Sequence, residues 1–268
     1  HQFYPLEMEV LEGGITNITA DVADLATNAE TQLLRESVRN PDLRIIMTVT
    51  ESFYRLVARR SAGIESLEDL RGKRVMTPAG TSAGYYLEAM LQSVGMSDQD
   101  VELVPFPRAA SARLGMDMMA EAIANGEVDA ISIWEPTPHD AIQMLGDDAI
   151  VLQDRSVYRE VFNLHARATD LADPAKRQSI VAFVRAVAQA TEALQQDIEP
   201  FLPLIRQYST FSDEQIIAAI PEMEFPIQII PDMLDVLEIE EQWVARNANR
   251  EPRSREELAL FIDYSVLE

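Results

Sequence analysis

The chain has 268 residues, 47% of them apolar, with no cysteine and with 45 acids against 22 basic residues for a formal charge of −23. That length and apolar content suffice to bury a large core, as one domain or as two lobes. Zero cysteines exclude disulfides, thiolate metal sites and a cysteine nucleophile, and the acid excess speaks against nucleic acid as a partner, because phosphate binding takes clustered cations.

Short apolar runs predict strands over Leu6–Leu11, Val22–Ala26, Arg44–Val49, Arg74–Met76, Val101–Pro105, Asp129–Trp134 and Ile150–Leu152. Helical signals fill the gaps, an alternation that predicts parallel sheets. Ser66 with Asp69 caps a one-turn helix that Gly72 stops, and Pro78 to Gly80 then turn the chain after the strand at Val75 and Met76. Thr81 caps the next helix, whose Ala83, Tyr86, Leu87, Met90, Leu91 and Val94 recur at three-and-four spacing before Gly95. The free amides of Thr81, Ser82 and Ala83 lie at a positive helix end beside two hydroxyls, which suits a carboxylate, a sulfonate or another polar acceptor. Met116, Met119, Ala122 and Ile123 make one buried face ending at Gly126.

After Phe162 the chain turns helical. Asp173 caps a helix with Pro174 at its first position, lined by Ile180, Val181, Val184, Val187, Ala188, Thr191 and Leu194. Ser212 with Gln215, and Ser254 with Glu257, fit capping boxes, and Pro231 opens a helix whose Met233, Leu234, Leu237, Trp243 and Val244 face inward. The acids from Glu238 to Glu241 read as a solvated face. No apolar run approaches the ~20 residues that span a bilayer, and His1 to Val10 lacks the basic start and apolar core of a secretory signal.

Several motifs carry a resemblance. SLEDLRGKRV with the G-T-S helix start, GEVDAISIWEP at Gly126 to Pro136, Asp173-Pro174 with its long apolar helix, SDEQIIAAIP from Ser212 to Pro221 and the terminal FIDYSVLE occur in that order. Together they resemble the substrate-binding proteins of ABC importers in the nitrate, sulfonate, taurine and thiamine-pyrimidine group, over nearly all of the chain. The resemblance implies an α/β fold of the two-lobed type II periplasmic-binding kind, with mixed, mainly parallel sheets, a ligand cleft between the lobes, and C-terminal helices. Phe53 to Arg59 and Asn163 to Arg167 look like the segments that cross between lobes, with Tyr54 near the hinge. Residues 1–69 and 161–268 are thereby assigned to lobe one and residues 70–160 to lobe two. Members of the group usually begin with a βα unit ahead of the position matched by Tyr4 to Val10, so by this resemblance either that unit with its ligand-facing loop is missing here or the lobe is built differently.

In open α/β sheets ligands bind beyond the carboxyl ends of the strands. The residues found there are Thr27 and Asn28, Thr50 and Glu51, Thr81 and Ser82, Arg108, and finally Trp134, Glu135 and Thr137. Trp134 adds an apolar body with one donor to an otherwise polar set. If Glu135 enters the cleft, an amine, an N–H heterocycle or a zwitterion is favoured; if it turns away, Thr81, Ser82 and Arg108 receive a sulfonate or carboxylate. His139 and His165 are too far apart in sequence to signal a metal cluster, and no GxSxG nucleophile motif is present. The reading is a monomeric, periplasmic solute-binding protein without catalysis, cofactor or metal, whose partners are a small-molecule solute and an ABC permease in the membrane. Two alternatives stand beside it: an enzyme on the same fold using Glu51 and Glu135 as acid and base, and a ligand-sensing module, for which no residues remain to form an output domain.

Overall fold

The computed structural model describes residues 8–267. Nine strands run along the described chain: β1 (Ala26–Ala29), β2 (Leu43–Ser52), β3 (Arg55–Arg59), β4 (Arg74–Thr77), β5 (Glu102–Pro105), β6 (Ala130–Ile133), β7 (Ala149–Leu152), β8 (Glu160–Arg167) and β9 (Met223–Glu224). They form a four-stranded sheet of order β1-β8-β2-β9 and a five-stranded sheet of order β5-β4-β6-β3-β7. The sheets are mixed: β4 runs parallel to β5 and β6, while β3 is antiparallel to β6 and β7, and β1 to β8. No described helix is long and apolar enough to cross a membrane.

Two compact units result. The first is built from residues up to Glu51, from Val161–Ile205 and from Glu224 onward, and the second from Ser52–Glu160 and Arg206–Met223. The second unit therefore begins well before the expected residue 70. The reason is β3, read from the sequence as a crossing segment: its Leu56, Val57 and Ala58 are fully buried between β6 and β7. Residues 206–223, expected in lobe one, also belong to the second unit. Phe53 N donates to Glu222 O at 2.8 Å, Gln215 Nε2 to the Asp140 carboxylate at 2.7 and 2.9 Å, and the Arg113 guanidinium stacks 4.7 Å from the Phe211 ring.

Two expected strands are corrected. Residues 8–11 run without regular structure, and the rest of the predicted Leu6–Leu11 strand lies outside the described residues. The predicted Val22–Ala26 strand starts only at Ala26, because Asp21 adopts a left-handed φ of 58° and the amides of Val22 and Ala23 turn back to Asn17 O.

The helices are α1 (Ile15–Thr19), α2 (Glu30–Glu36), α3 (Ser82–Ser93), α4 (Ala112–Ala124), α5 (Thr137–Leu145), α6 (Ala168–Ala172), α7 (Pro174–Gln196), α8 (Leu202–Ile205), α9 (Asp213–Ala219), α10 (Met233–Asn247) and α11 (Arg255–Ala259). Their caps follow the sequence reading. Asp173 accepts from Ala175 N and Lys176 N, and the capping boxes of Ser212 with Gln215 and Ser254 with Glu257 are both formed. In the first unit α7 lays Ile180 and Val184 on Ile46, Met47, Leu164 and Ala166; in the second, Met116, Met119 and Ile123 of α4 join Tyr86, Leu87 and Met90 of α3 in one core with β3, β4 and β6.

The acids of α10 are not the solvated face that the sequence suggests. Glu240 and Glu241 are buried. Arg250 grips the Glu241 carboxylate with both terminal nitrogens, at 2.6 and 3.0 Å, and Arg253 reaches it through its amide, Nε and Nη2. Arg253 also donates to Ser37 Oγ and Leu34 O, which ties α10 to the end of α2. Burial pushes the Glu241 carboxyl up, but the arginines more than reverse it and hold it at about 2. His165 on β8 is the opposite case. Burial pushes its imidazole down to about 4, against one hydrogen bond to Ala26 O, and its Nε2 has no partner.

Both groups make the first unit sensitive to acid, in different windows. His165 is neutral when folded, so its contribution is complete above its ordinary 6.5 and is lost as the pH falls toward about 4. Glu241 contributes fully above its ordinary 4.5 and loses this as the pH falls toward about 2. Each is worth on the order of 3 kcal/mol. Denaturant melts across pH are predicted to fall in two steps; His165→Gln removes the upper step and Glu241→Gln the lower.

Candidate functional site

The second unit gathers most of the polar residues that follow strands. β4 ends at Thr77, residues 78–81 turn, and α3 begins with Thr81 as its cap: Thr81 Oγ1 accepts from Ala83 N at 3.2 Å and donates to Pro78 O at 2.8 Å. Gly84 lets this turn lie directly on the first helical turn, since a Cβ there would meet Ala79 O at 2.2 Å. Ser82 is buried at the head of the helix, its hydroxyl 2.9 Å from Tyr54 Oη and 3.3 Å from Glu160 Oε1. Tyr54 spends its one proton on Glu160 Oε1, so Ser82 is the donor within this trio.

An aromatic cluster surrounds these groups. The Tyr54 ring packs against Tyr86, Trp134 and Tyr158 at centroid distances of 5.8, 5.9 and 5.6 Å, and Tyr85 packs edge-on against Tyr158 at 5.3 Å. The β3–β6 register, which sets Arg55 opposite Ile133, puts Tyr54 opposite Trp134. Gln153 fixes the Tyr54 backbone by donating to its carbonyl at 3.0 Å. Burial raises the Tyr86 phenol well above its ordinary range, so it stays protonated. Tyr54 and Glu160 are the residues that the sequence reading missed as site members. Their partners lie far along the chain, and the only sequence signal was the placing of Tyr54 near a crossing segment.

Trp134, Glu135 and Thr137 follow β6 as expected, across a cis Glu135–Pro136 bond. Glu135 is buried and already engaged: Arg55 donates through Nε and Nη2 to its Oε1, each at 2.6 Å, and His139 N in the first turn of α5 donates to Oε2 at 3.3 Å. Burial raises the Glu135 carboxyl, while Arg55 works in the opposite direction. Thr137 is buried as the first residue of α5, Trp134 is half-buried, and Arg108 stands exposed between β5 and α4. Among the described residues no three His, Asp or Glu side chains are placed to hold a metal ion.

In the first unit the predicted residues lie inside strands and not beyond them. Thr27 and Asn28 sit within β1 opposite Leu164 and Asn163, and Thr50 and Glu51 lie in β2, which continues to Ser52. Asn28 Oδ1 accepts from Ala29 N at 3.0 Å, and Gly14 lies so close that a Cβ would meet Asn28 Nδ2 at 2.3 Å. Asn163 also accepts from Thr48 Oγ1 at 3.0 Å, which makes a polar row across β1, β8 and β2.

The Arg55–Glu135 pair is predicted to be the most costly of these contacts to break from one side. Arg55→Met leaves a buried carboxylate without its counter-charge and lowers unfolding free energy by about 3–5 kcal/mol, measured by urea denaturation. The double change Arg55→Met with Glu135→Leu recovers most of the loss.

The pattern of the NMT1/THI5 like family matches residues 7–199. A Haemophilus influenzae protein provisionally named for thiamine biosynthesis is 27% identical over 137 residues, which is 48% of this chain and 44% of that protein. A provisionally named binding protein of Brucella abortus is 31% identical over 74 residues, 28% of this chain and 21% of that protein. The chain thus spans less than half the length of these curated relatives. Among solved structures, the periplasmic aliphatic sulphonate binding protein SsuA from Escherichia coli superposes with a TM-score of 0.72 at 16% identity, covering 92% of this chain and 82% of that one. SsuA from Xanthomonas axonopodis pv. citri, bound to MOPS, gives 0.66 at 17% identity, with 93% and 83% covered. The desulfurization enzyme DszB gives 0.65 at 17% identity, with 91% and 84% covered. The fold is that of the periplasmic binding proteins, which binding proteins and an enzyme share. With its pattern met over residues 7–199, the chain belongs to the NMT1/THI5-like family.

Proposed function

We propose that this chain is the solute-binding component of an ABC importer, which takes up a small organic solute outside the cytoplasm and presents it to a membrane permease. The observation that carries this reading is the agreement of family and fold: the family pattern covers residues 7–199, and the likeness to SsuA extends over 92–93% of the chain. The polar and aromatic groups gathered in the second unit support it, because small-molecule sites combine apolar walls with a few fixed polar groups.

The class of the solute follows from what stands at the head of α3. The head of α3, offered by the sequence to a sulfonate or carboxylate, has a carboxylate 3.3 Å from Ser82 Oγ. A carboxylate only accepts hydrogen bonds, so this position suits a solute that presents donors to it. Glu135 is already paired with Arg55. Arg108 is exposed and follows β5, the strand beside β4. The site thus suits a nitrogen-bearing solute whose N–H groups face Glu160 and whose apolar part lies on the half-buried Trp134.

Thermal unfolding against amines, N–H heterocycles, alkanesulfonates and carboxylates tests this. A solute at a hundred times its Kd stabilises by about 2.7 kcal/mol, a visible shift. The prediction is a hit among the nitrogen compounds, weakened at least about tenfold by Glu160→Gln, the loss of one charge-assisted hydrogen bond. Hits confined to sulfonates would overturn the solute class, and turnover of a bound compound would overturn the binding role.

A further inference from the structure

We infer that this fold depends on dissolved salt cations for its stability, a property separate from the solute-binding reading. The 23 surplus negative charges are not gathered in one tail. Residues 52–160 and 206–223, the second unit, carry 20 acids and 11 bases, and the rest of the chain carries 25 and 11. Each unit is therefore repelled by its own surface, and this repulsion grows as the square of the net charge.

The protein's own cations are few, and many are already shared. Lys73 and Lys176 are the only lysines. Lys73 Nζ donates to Ala62 O at 2.6 Å, and Lys176 Nζ serves both Asp24 and Asp170, at 2.9 and 2.8 Å. Arg255 divides itself between Asp235 and Glu238, Arg113 between Asp117 and Asp140, and Arg250 and Arg253 are both committed to Glu241. Exposed acids such as Glu121, Glu127, Asp147 and Glu192 are left for the solution to balance. Dilute salt screens them poorly, because the Debye length is about 30 Å at 0.01 M and about 3 Å at 1 M.

The test is melting of the full chain in KCl from about 0.05 to about 2 M, beside a variant carrying Glu121→Lys, Glu127→Lys, Asp147→Lys and Glu192→Lys. Each swap adds two positive charges, which takes the formal charge from −23 to −15. The parent Tm is expected to rise by at least about 10 °C, and the variant by less than about half as much, since repulsion follows the square of the charge. A flat or falling parent curve would overturn the inference. So would equal slopes, because salting-out strengthens burial alike in both chains. Should the variant not fold, parent melts in sucrose of equal osmolality decide, since sucrose strengthens burial without screening. A gain equal to that in KCl overturns the inference, and a much smaller one supports it.

Discussion

Burying a carboxylate costs several kcal/mol unless donors replace its water, and seven are buried among the described residues of a chain that has only 22 basic side chains. The architecture is arranged around meeting that demand. Glu241 takes two arginines from the segment following its own helix, Glu135 takes Arg55 from the neighbouring strand, and Glu30 takes the amide of Val161 where β8 begins. Glu160 is supplied by hydroxyls, those of Tyr54 and Ser82. A hydroxyl lends a carboxylate a hydrogen bond alone, whereas arginine lends a counter-charge as well.

Two acids at similar depth are thus held in unlike ways. Glu135 follows β6 and looks, by position, like a ligand contact, yet its pairing makes it a brace between β3 and the start of α5. Glu160 stands at the head of β8, and its hydroxyl partners bring the tyrosine cluster around it. Tyr54 joins the two arrangements: its ring faces Trp134 across the β3–β6 ladder and its hydroxyl orients Glu160.

What could be read from the sequence was whatever is decided within a few residues. The caps at Thr81, Asp173, Ser212 and Ser254 are bonds between a side chain and an amide two or three positions away, and each was legible. The apolar faces of α3, α4 and α7 followed from helical period. β3 was missed because its status depends on antiparallel partners that start 75 or more residues later. The delay of β1 to Ala26 hangs on a left-handed Asp21, which a propensity for strand does not reveal. Glu241 looked solvated because its counter-charges come from beyond the end of the helix, and Glu160 passed unnoticed because its partners lie 78 and 106 residues away. Side chains whose role is set by distant partners carry no periodic or local signature.

Ile45 N donates to Phe261 O at 2.7 Å and Asp263 N to Ile45 O at 2.9 Å, so the far end of the chain lays a short parallel bridge against β2. During synthesis this has a consequence for order of assembly. Every residue of the second unit has been made once position 223 is reached, whereas the sheet of the first unit lacks its closing segment until after position 262. Domains fold as units while the chain emerges, and contacts spanning such separations form late. The inserted unit therefore matures first, and the stretch of β2 around Ile45 stays unbridged until residues 261–263 are made.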